Sequence, residues 1–221
     1  MIRHALAAVS PSTARALAIP RTLSGAGGQR ATGVAITFDD GPHPDGTPRI
    51  LEILASNGAL ATFFVIGEQV DRRPELVRRI LDEGHSIALH GYRHRLQSRL
   101  TARQVSDDLD RGLDAIDRAA GIRPTRHRPP YGVYSPAGLR AARERLLEPL
   151  LWATWGKDWR RFTTPARIAL RATRGLRSGD VILLHDADFY SSPRSHERTA
   201  AALPLILAEL KSREIGTVLG V

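Results

Sequence analysis

Cysteine is absent from the 221-residue chain, so no soft thiolate site can be built and any metal must be held by nitrogen and oxygen. Aromatic residues make up only 5% of it, too few to interleave with basic side chains as single-stranded nucleic-acid binding requires. No apolar run is long enough to span a membrane. A secretory signal needs an unbroken apolar core of about 7 to 15 residues. Here Leu6 to Val9 is ended by Ser10-Pro11, and Arg15 interrupts the next stretch. The expectation is a cytoplasmic protein without a transmembrane segment, secretion or cell-wall association being the alternative; the missing cysteines fit either compartment. Lysine is scarce as well, with Lys157 and Lys211 the only two.

The positive charge therefore rests on arginine. A net charge of +9 and a pI near 11.0 raise nucleic acid as a partner. The arginines are scattered over helix-forming segments, as at Arg72, Arg73, Arg78, Arg79, Arg143, Arg145, Arg167, Arg171 and Arg174, often with an acid nearby. That is the pattern of a solvated surface, and no nucleic-acid partner is expected. A functional basic face would instead hold an anionic group on a substrate.

Thr37-Phe38-Asp39-Asp40-Gly41-Pro42 sets two carboxylates side by side where the apolar run Val34-Ala35-Ile36 stops. Neighbouring side chains in a strand point to opposite faces, but at a strand end that breaks into a turn both can lean into one cavity. Two ionised carboxylates in contact repel unless a cation or a proton sits between them. His90-Gly91-Tyr92-Arg93-His94, after the apolar Ser86-Ile87-Ala88-Leu89, adds two histidines four apart, a spacing that puts both on one side of a helical turn. The zinc-protease pattern also needs Glu directly after the first His, and that position is Gly91. An Asp-His-His site with an open position for water follows, with the spare carboxylate of the Asp pair as the available base.

Three further segments carry candidate chemistry. Arg128-Pro129-Pro130-Tyr131-Gly132 is a stiff stretch that fixes an arginine. Asp158-Trp159 follows the apolar Leu150-Leu151-Trp152-Ala153, and Val181-Ile182-Leu183-Leu184-His185-Asp186 reads as a buried strand ending in a histidine.

In order and position these five segments resemble the motifs of the polysaccharide deacetylase family, the carbohydrate esterases (family 4) built on the NodB homology domain. The resemblance spans Val34 to the C-terminus and implies an enzyme, a metal-dependent hydrolase that removes the acetyl group from an N-acetylated sugar. It implies that Asp40, His90 and His94 bind one divalent ion, usually zinc, with Co2+, Ni2+ or another divalent ion as alternatives. Asp39 would be the general base with Arg128 holding it, and His185 the general acid oriented by Asp158. The backbone N–H at Tyr131 would meet the oxyanion, while Leu183 and Trp159 would line the pocket for the acetyl methyl. The family has a serine or threonine where this chain has Gly91. The loss of that hydroxyl predicts a looser histidine loop and weaker metal retention, which Gly91→Ser should restore.

Strands and helices alternate along the chain. Helices are expected from Thr47-Pro48, from Pro74, over Thr101 to Ala120, Pro136 to Leu147, Pro165 to Leu176 and Thr199 to Lys211. Strands are expected at Val34, Ala61 to Ile66, Ser86 to His90, Arg128, Leu150 to Thr154, Val181 to Leu184 and Gly216 to Val221. Such alternation argues for parallel strands with crossover helices. With the resemblance, the expected fold is an α/β, distorted and incomplete (β/α) barrel of the NodB type. It occupies 33–221 as a single monomeric domain, preceded by a flexible extension over 1–32 with a linker at Ser24 to Gln29. The segment Asp186 to Arg198, with Phe189, Tyr190, Arg194 and His196, is either a lid or wall over the pocket or a polar surface loop. The competing functions are a metal amidohydrolase acting on a small non-sugar amide and a basic binding module without catalysis.

Overall fold

The computed structural model describes residues 1–25 and 28–220. Seven strands form one parallel sheet: β1 (Ala35–Asp39), β2 (Ala61–Val65), β3 (Ser86–Leu89), β4 (Arg126–His127), β5 (Glu148–Pro149), β6 (Thr154–Trp155) and β7 (Val181–His185). Their spatial order is β5-β4-β3-β2-β1-β7-β6. The central strands β1 and β2 are buried at every position, as expected of parallel strands covered on both faces. The edge strands β5 and β6 do not pair with each other among the described residues, so the barrel stays open between them. No helix among the described residues is long and apolar enough to cross a membrane.

The helices between strands are α3 (Gly46–Ser56), α4 (Gly67–Arg72), α5 (Pro74–Asp82), α6 (Ala102–Ala120), α7 (Pro136–Glu144) and α8 (Pro165–Thr173), and α9 (Ser195–Ser212) follows β7. The longest, α6, shows how local sequence sets an element. Thr101 and Gln104 close a capping box at its start, Val105, Leu109, Leu113 and Ile116 bury one face, and Gly121 ends it in the left-handed conformation at φ 67°. At α3 the expected capping Thr47 does other work, accepting from His43 N at 2.7 Å and donating to the Asp186 carboxylate.

Three expectations change. The run Leu150 to Thr154 is not one strand: residues 150–153 cross the open side of the barrel between β5 and β6, and Leu150, Leu151 and Trp152 are buried in the core there. Gly216 to Gly220 forms only a bridge from Thr217 to Val34, and Val221 lies outside the described residues. The N-terminal segment is not a flexible extension. It folds into α1 (Ile2–Ala7) and α2 (Pro11–Ala16), and Ala7, Ala8, Ala14, Ile19 and Leu23 are buried against the core. Leu151 N donates to Pro20 O at 2.8 Å, which lays this segment across the open side of the barrel. Small, widely spaced apolar residues hid the packing face. Of the expected linker, Ala26 and Gly27 lie outside the described residues.

Candidate active site

Apart from Leu183 within β7, the site residues expected from the sequence sit at or beyond the C-terminal end of a strand, and most of them line a cleft of about 250 Å³. Asp39 ends β1, and Asp40 follows with a φ of 82°, a conformation rarely adopted by a non-glycine residue. This break from strand geometry lets two consecutive carboxylates line one cleft. Gly41 next to them must lack a side chain, because a Cβ there would run into the Asp186 carboxylate.

Asp40 Oδ1 lies 3.4 Å from both His90 Nε2 and His94 Nε2, yet makes no hydrogen bond among the described residues and is sealed from solvent. A buried, unsatisfied carboxylate oxygen facing two imidazole nitrogens is a cradle for a cation. The tautomer agrees. His90 Nδ1 is 2.7 Å from the carbonyl of Arg128, which can only accept, so in the neutral ring the proton is on Nδ1 and the Nε2 lone pair faces Asp40. Burial lowers His94 to about 4, keeping it neutral at pH 7. Burial alone would raise Asp40, but contact with His90 and the charges of His185 and His94 prevail and hold it at about 2. The donor set of one carboxylate and two imidazoles fits a divalent ion of the zinc type.

The two histidines are not on a helical turn. Residues 91–96 are an irregular loop, and Gly91 adopts a φ of 97°. The loop is held by Asp108 of α6, whose carboxylate accepts from Tyr92 N at 2.8 Å and Arg93 N at 3.2 Å. The geometry argues against the expected gain from Gly91→Ser: a Cβ at Gly91 would sit 2.9 Å from Asp108 Oδ2.

Arg128 is completely buried and spends its donors on the site. Nη1 donates to Asp39 Oδ1 at 2.6 Å and to Thr37 Oγ1 at 2.9 Å, Nε to Leu150 O, and Nη2 to Leu151 O. The guanidinium also lies 3.9 Å from the Phe64 ring centroid. This clamp takes one oxygen of Asp39 and leaves Oδ2, 3.8 Å from His90 Nε2. Across the cleft, His185 Nδ1 donates to Asp158 Oδ1 at 2.9 Å, while Asp158 Oδ2 accepts from His185 N and from Thr199 Oγ1, each at 2.7 Å. Burial would depress His185, but Asp158, Asp40 and Asp39 together raise it to about 10.

The profile of the polysaccharide deacetylase family matches residues 26–148. The chain belongs to the polysaccharide deacetylase family. It is 36% identical over 182 residues to a peptidoglycan-N-acetylglucosamine deacetylase of Bacillus cereus, covering 81% of this chain and 82% of that protein. It is 34% identical over 203 residues to a chitooligosaccharide deacetylase of Bradyrhizobium, covering 89% of this chain and 91% of that protein. The solved family 4 carbohydrate esterase from Streptomyces lividans, in complex with acetate, superposes with a TM-score of 0.75 at 32% identity, over 86% of this chain and 92% of that one.

In this polysaccharide deacetylase the cleft wall is aromatic. All three tryptophans of the chain, Trp152, Trp155 and Trp159, line it with Leu183, and Trp159 meets the His185 ring edge-on at 5.5 Å. Tyr131, at φ 61° between the proline pair and Gly132, stands 59% exposed at its rim. Tyr190 and Ser191 line the other side, so the segment after His185 contributes a wall and is not merely a surface loop. Among the described residues no arginine or lysine lines the cleft. Many arginines are instead paired with surface acids, as Arg145 with Asp110 and Arg118 with Asp71, and the expected basic face for a substrate anion has no counterpart at the cleft.

Sequence reasoning missed Thr37, Asp108, Thr199, Trp152 and Trp155, which act through contacts between distant segments. It also missed a second group of donors, His43, Asp188 and His196. His43 Nε2 lies 3.3 Å from Asp188 Oδ1, and His196 Nδ1 lies 3.4 Å from Asp188 Oδ2.

Proposed function

We propose that this chain hydrolyses the acetamide of an N-acetylated sugar, an N-acetylglucosamine-type unit of a glycan, precursor or glycoconjugate, with one zinc ion held by Asp40, His90 and His94. The observation that carries the reading is the pairing of an arginine-clamped carboxylate with an aspartate-paired imidazole across a three-donor cluster. The names of the relatives, deacetylases of peptidoglycan and chitooligosaccharide, support the substrate class. When bound, the ion would acidify a water and polarise the scissile carbonyl.

The remaining work falls to side chains. Asp39 takes the water's proton on Oδ2, because Oδ1 is committed to Arg128. Arg128 holds that carboxylate in place. The Tyr131 backbone N–H donates to the carbonyl oxygen as it becomes anionic. His185, charged at neutral pH and with Nδ1 tied to Asp158, delivers the proton on Nε2 to the departing amine, which leaves poorly without it. Leu183 and Trp159 receive the acetyl methyl, and the other aromatic walls suit the apolar face of a sugar ring. The cleft residues favour a neutral sugar over an anionic one. A cytoplasmic protein would meet precursors and short oligomers, an exported one the assembled wall; fractionating cells that produce the full chain separates the two.

The test is acetate release from a panel of N-acetylated sugars by zinc-loaded protein. Release from N-acetylglucosamine oligomers is expected. Release from small non-sugar amides alone overturns the proposal.

A further inference from the structure

The two histidines of the metal cradle are supported differently. The His90 ring is oriented by a hydrogen bond from Nδ1 to the Arg128 carbonyl. His94 has no such tether: its Nδ1 is sealed from solvent and has no hydrogen-bond partner among the described residues. It also rises from the irregular loop, so no helix sets its direction. Its ring is nevertheless confined. Tyr190 lies flat against it, with centroids 4.2 Å apart and planes 8° from parallel, and Tyr131 meets it edge-on at 4.6 Å. Of the two, Tyr131 is the more exposed.

Tyr190 is itself braced. Its hydroxyl donates to Glu68 Oε1 at 2.8 Å and accepts from Gln69 Nε2 at 3.3 Å, both on α4. The same helix holds the backbone of the histidine loop, with Gly67 N donating to Gly91 O and Glu68 N to Tyr92 O, each at 2.9 Å. One short helix thus sets the spacing between the loop that carries His94 and the ring that stacks on it.

We infer that Tyr190 is a positioning residue of the metal site, holding the His94 imidazole by its face where an outer hydrogen bond would otherwise hold it by its edge. The inference rests on Asp40, His90 and His94 being the metal ligands. An imidazole that gives its lone pair to a cation is electron-poor, and the electron-rich face of a phenol ring attracts it more than the free imidazole. The stack therefore favours the metal-bound state over the free one and raises affinity, beyond merely filling space.

The experiment measures the zinc dissociation constant by competition with a chelator for the wild type, Tyr190→Leu, Tyr190→Phe and His94→Ala, with circular dichroism and thermal melting as checks on folding. Tyr190→Leu is expected to weaken zinc binding about 10-fold or more, as loss of an outer partner does at other metal sites. Tyr190→Phe keeps the ring and should keep most of the affinity. A folded Tyr190→Leu with wild-type affinity overturns the inference, as does a Tyr190→Phe that loses as much as Leu. Should Tyr190→Leu fail to fold, Tyr190→Met takes its place with the same expected loss. If His94→Ala retains zinc like the wild type, the ligand assignment itself fails; if it loses zinc and Tyr190→Leu does not, only the role of Tyr190 fails.

Discussion

Two groups of two imidazoles and one carboxylate occur among the described residues, and only one is set up to hold a metal. In both, the donor atoms lie within 4.8 Å of one another. The difference is on the far side of the rings. His90 Nδ1 faces a carbonyl, so in the neutral ring it carries the proton and frees Nε2. His43 Nδ1 accepts from Asp45 N at 3.1 Å and Gly46 N at 2.9 Å, so in the neutral ring the proton must be on Nε2, where it points at Asp188. A metal at that nitrogen would have to displace the proton and leave an imidazolate. The carboxylates differ too: Asp40 Oδ1 has no partner among the described residues, whereas Asp188 Oδ2 accepts from Arg194 N at 2.7 Å. The second group is thus read as a clasp between the β1–α3 loop and the segment after β7. Proximity of donors is a weaker criterion for a metal site than the tautomer their surroundings impose.

The largest expected effect tests this contrast directly. His90→Ala should lose the metal and with it more activity than the roughly two to four orders of magnitude that a general base is worth. His43→Ala should still bind one zinc per chain. Elemental analysis of the wild type should give one ion per chain, and two would break the comparison.

Asp39→Asn comes next. Metal content should stay near wild type while turnover falls by about two to four orders of magnitude. Loss of metal from this variant, with retention in Asp40→Asn, would exchange the roles of the two aspartates.

The chemistry of the site was more legible in the sequence than its supports. Asp39, Asp40, His90, His94, Arg128, Asp158 and His185 stand in short motifs at the ends of apolar runs, where strand periodicity and turn residues locate them. Asp108 and Thr199 are ordinary polar residues on helices, and only the packing of those helices brings one under the histidine loop and the other onto Asp158. Tyr190 was visible as a candidate wall, but its partner His94 lies far away in sequence. The N-terminal helices were misjudged because alanines at spaced positions bury little area each, and only the open side of the barrel shows what they cover.

Asp158→Asn probes the acid side of the cleft. Against the opposing effect of burial, it is chiefly Asp158 that raises His185 to about 10. The pair's contribution to stability is therefore fully present below the ordinary histidine value of about 6.5 and is lost as pH rises through about 10. Without the carboxylate the ring should titrate at lower pH, and the alkaline fall in activity should move down with it. NMR titration of His185 in both proteins checks this, and an unchanged ring pKa would mean that Asp158 does not govern the acid.

The smallest effect concerns what supports the metal cluster, and Gly91→Ser isolates it. A φ of 97° costs a residue with a side chain about 1–3 kcal/mol, and the new Cβ would press on the Asp108 carboxylate that accepts from Tyr92 N and Arg93 N. Stability should fall by about that amount in a thermal melt, and zinc should leave more readily to a chelator. Turnover at saturating zinc should stay near wild type, because neither Asp39 nor His185 depends on this loop for its partner. Asp188→Asn is the matching change in the second group: it should loosen the clasp with His43 and leave zinc affinity almost untouched. If Gly91→Ser instead tightened zinc retention, a hydroxyl at this position would be holding the histidine loop better than Asp108 does. The difference between the two clusters would then rest on the loop backbone as well as on the tautomers of the rings.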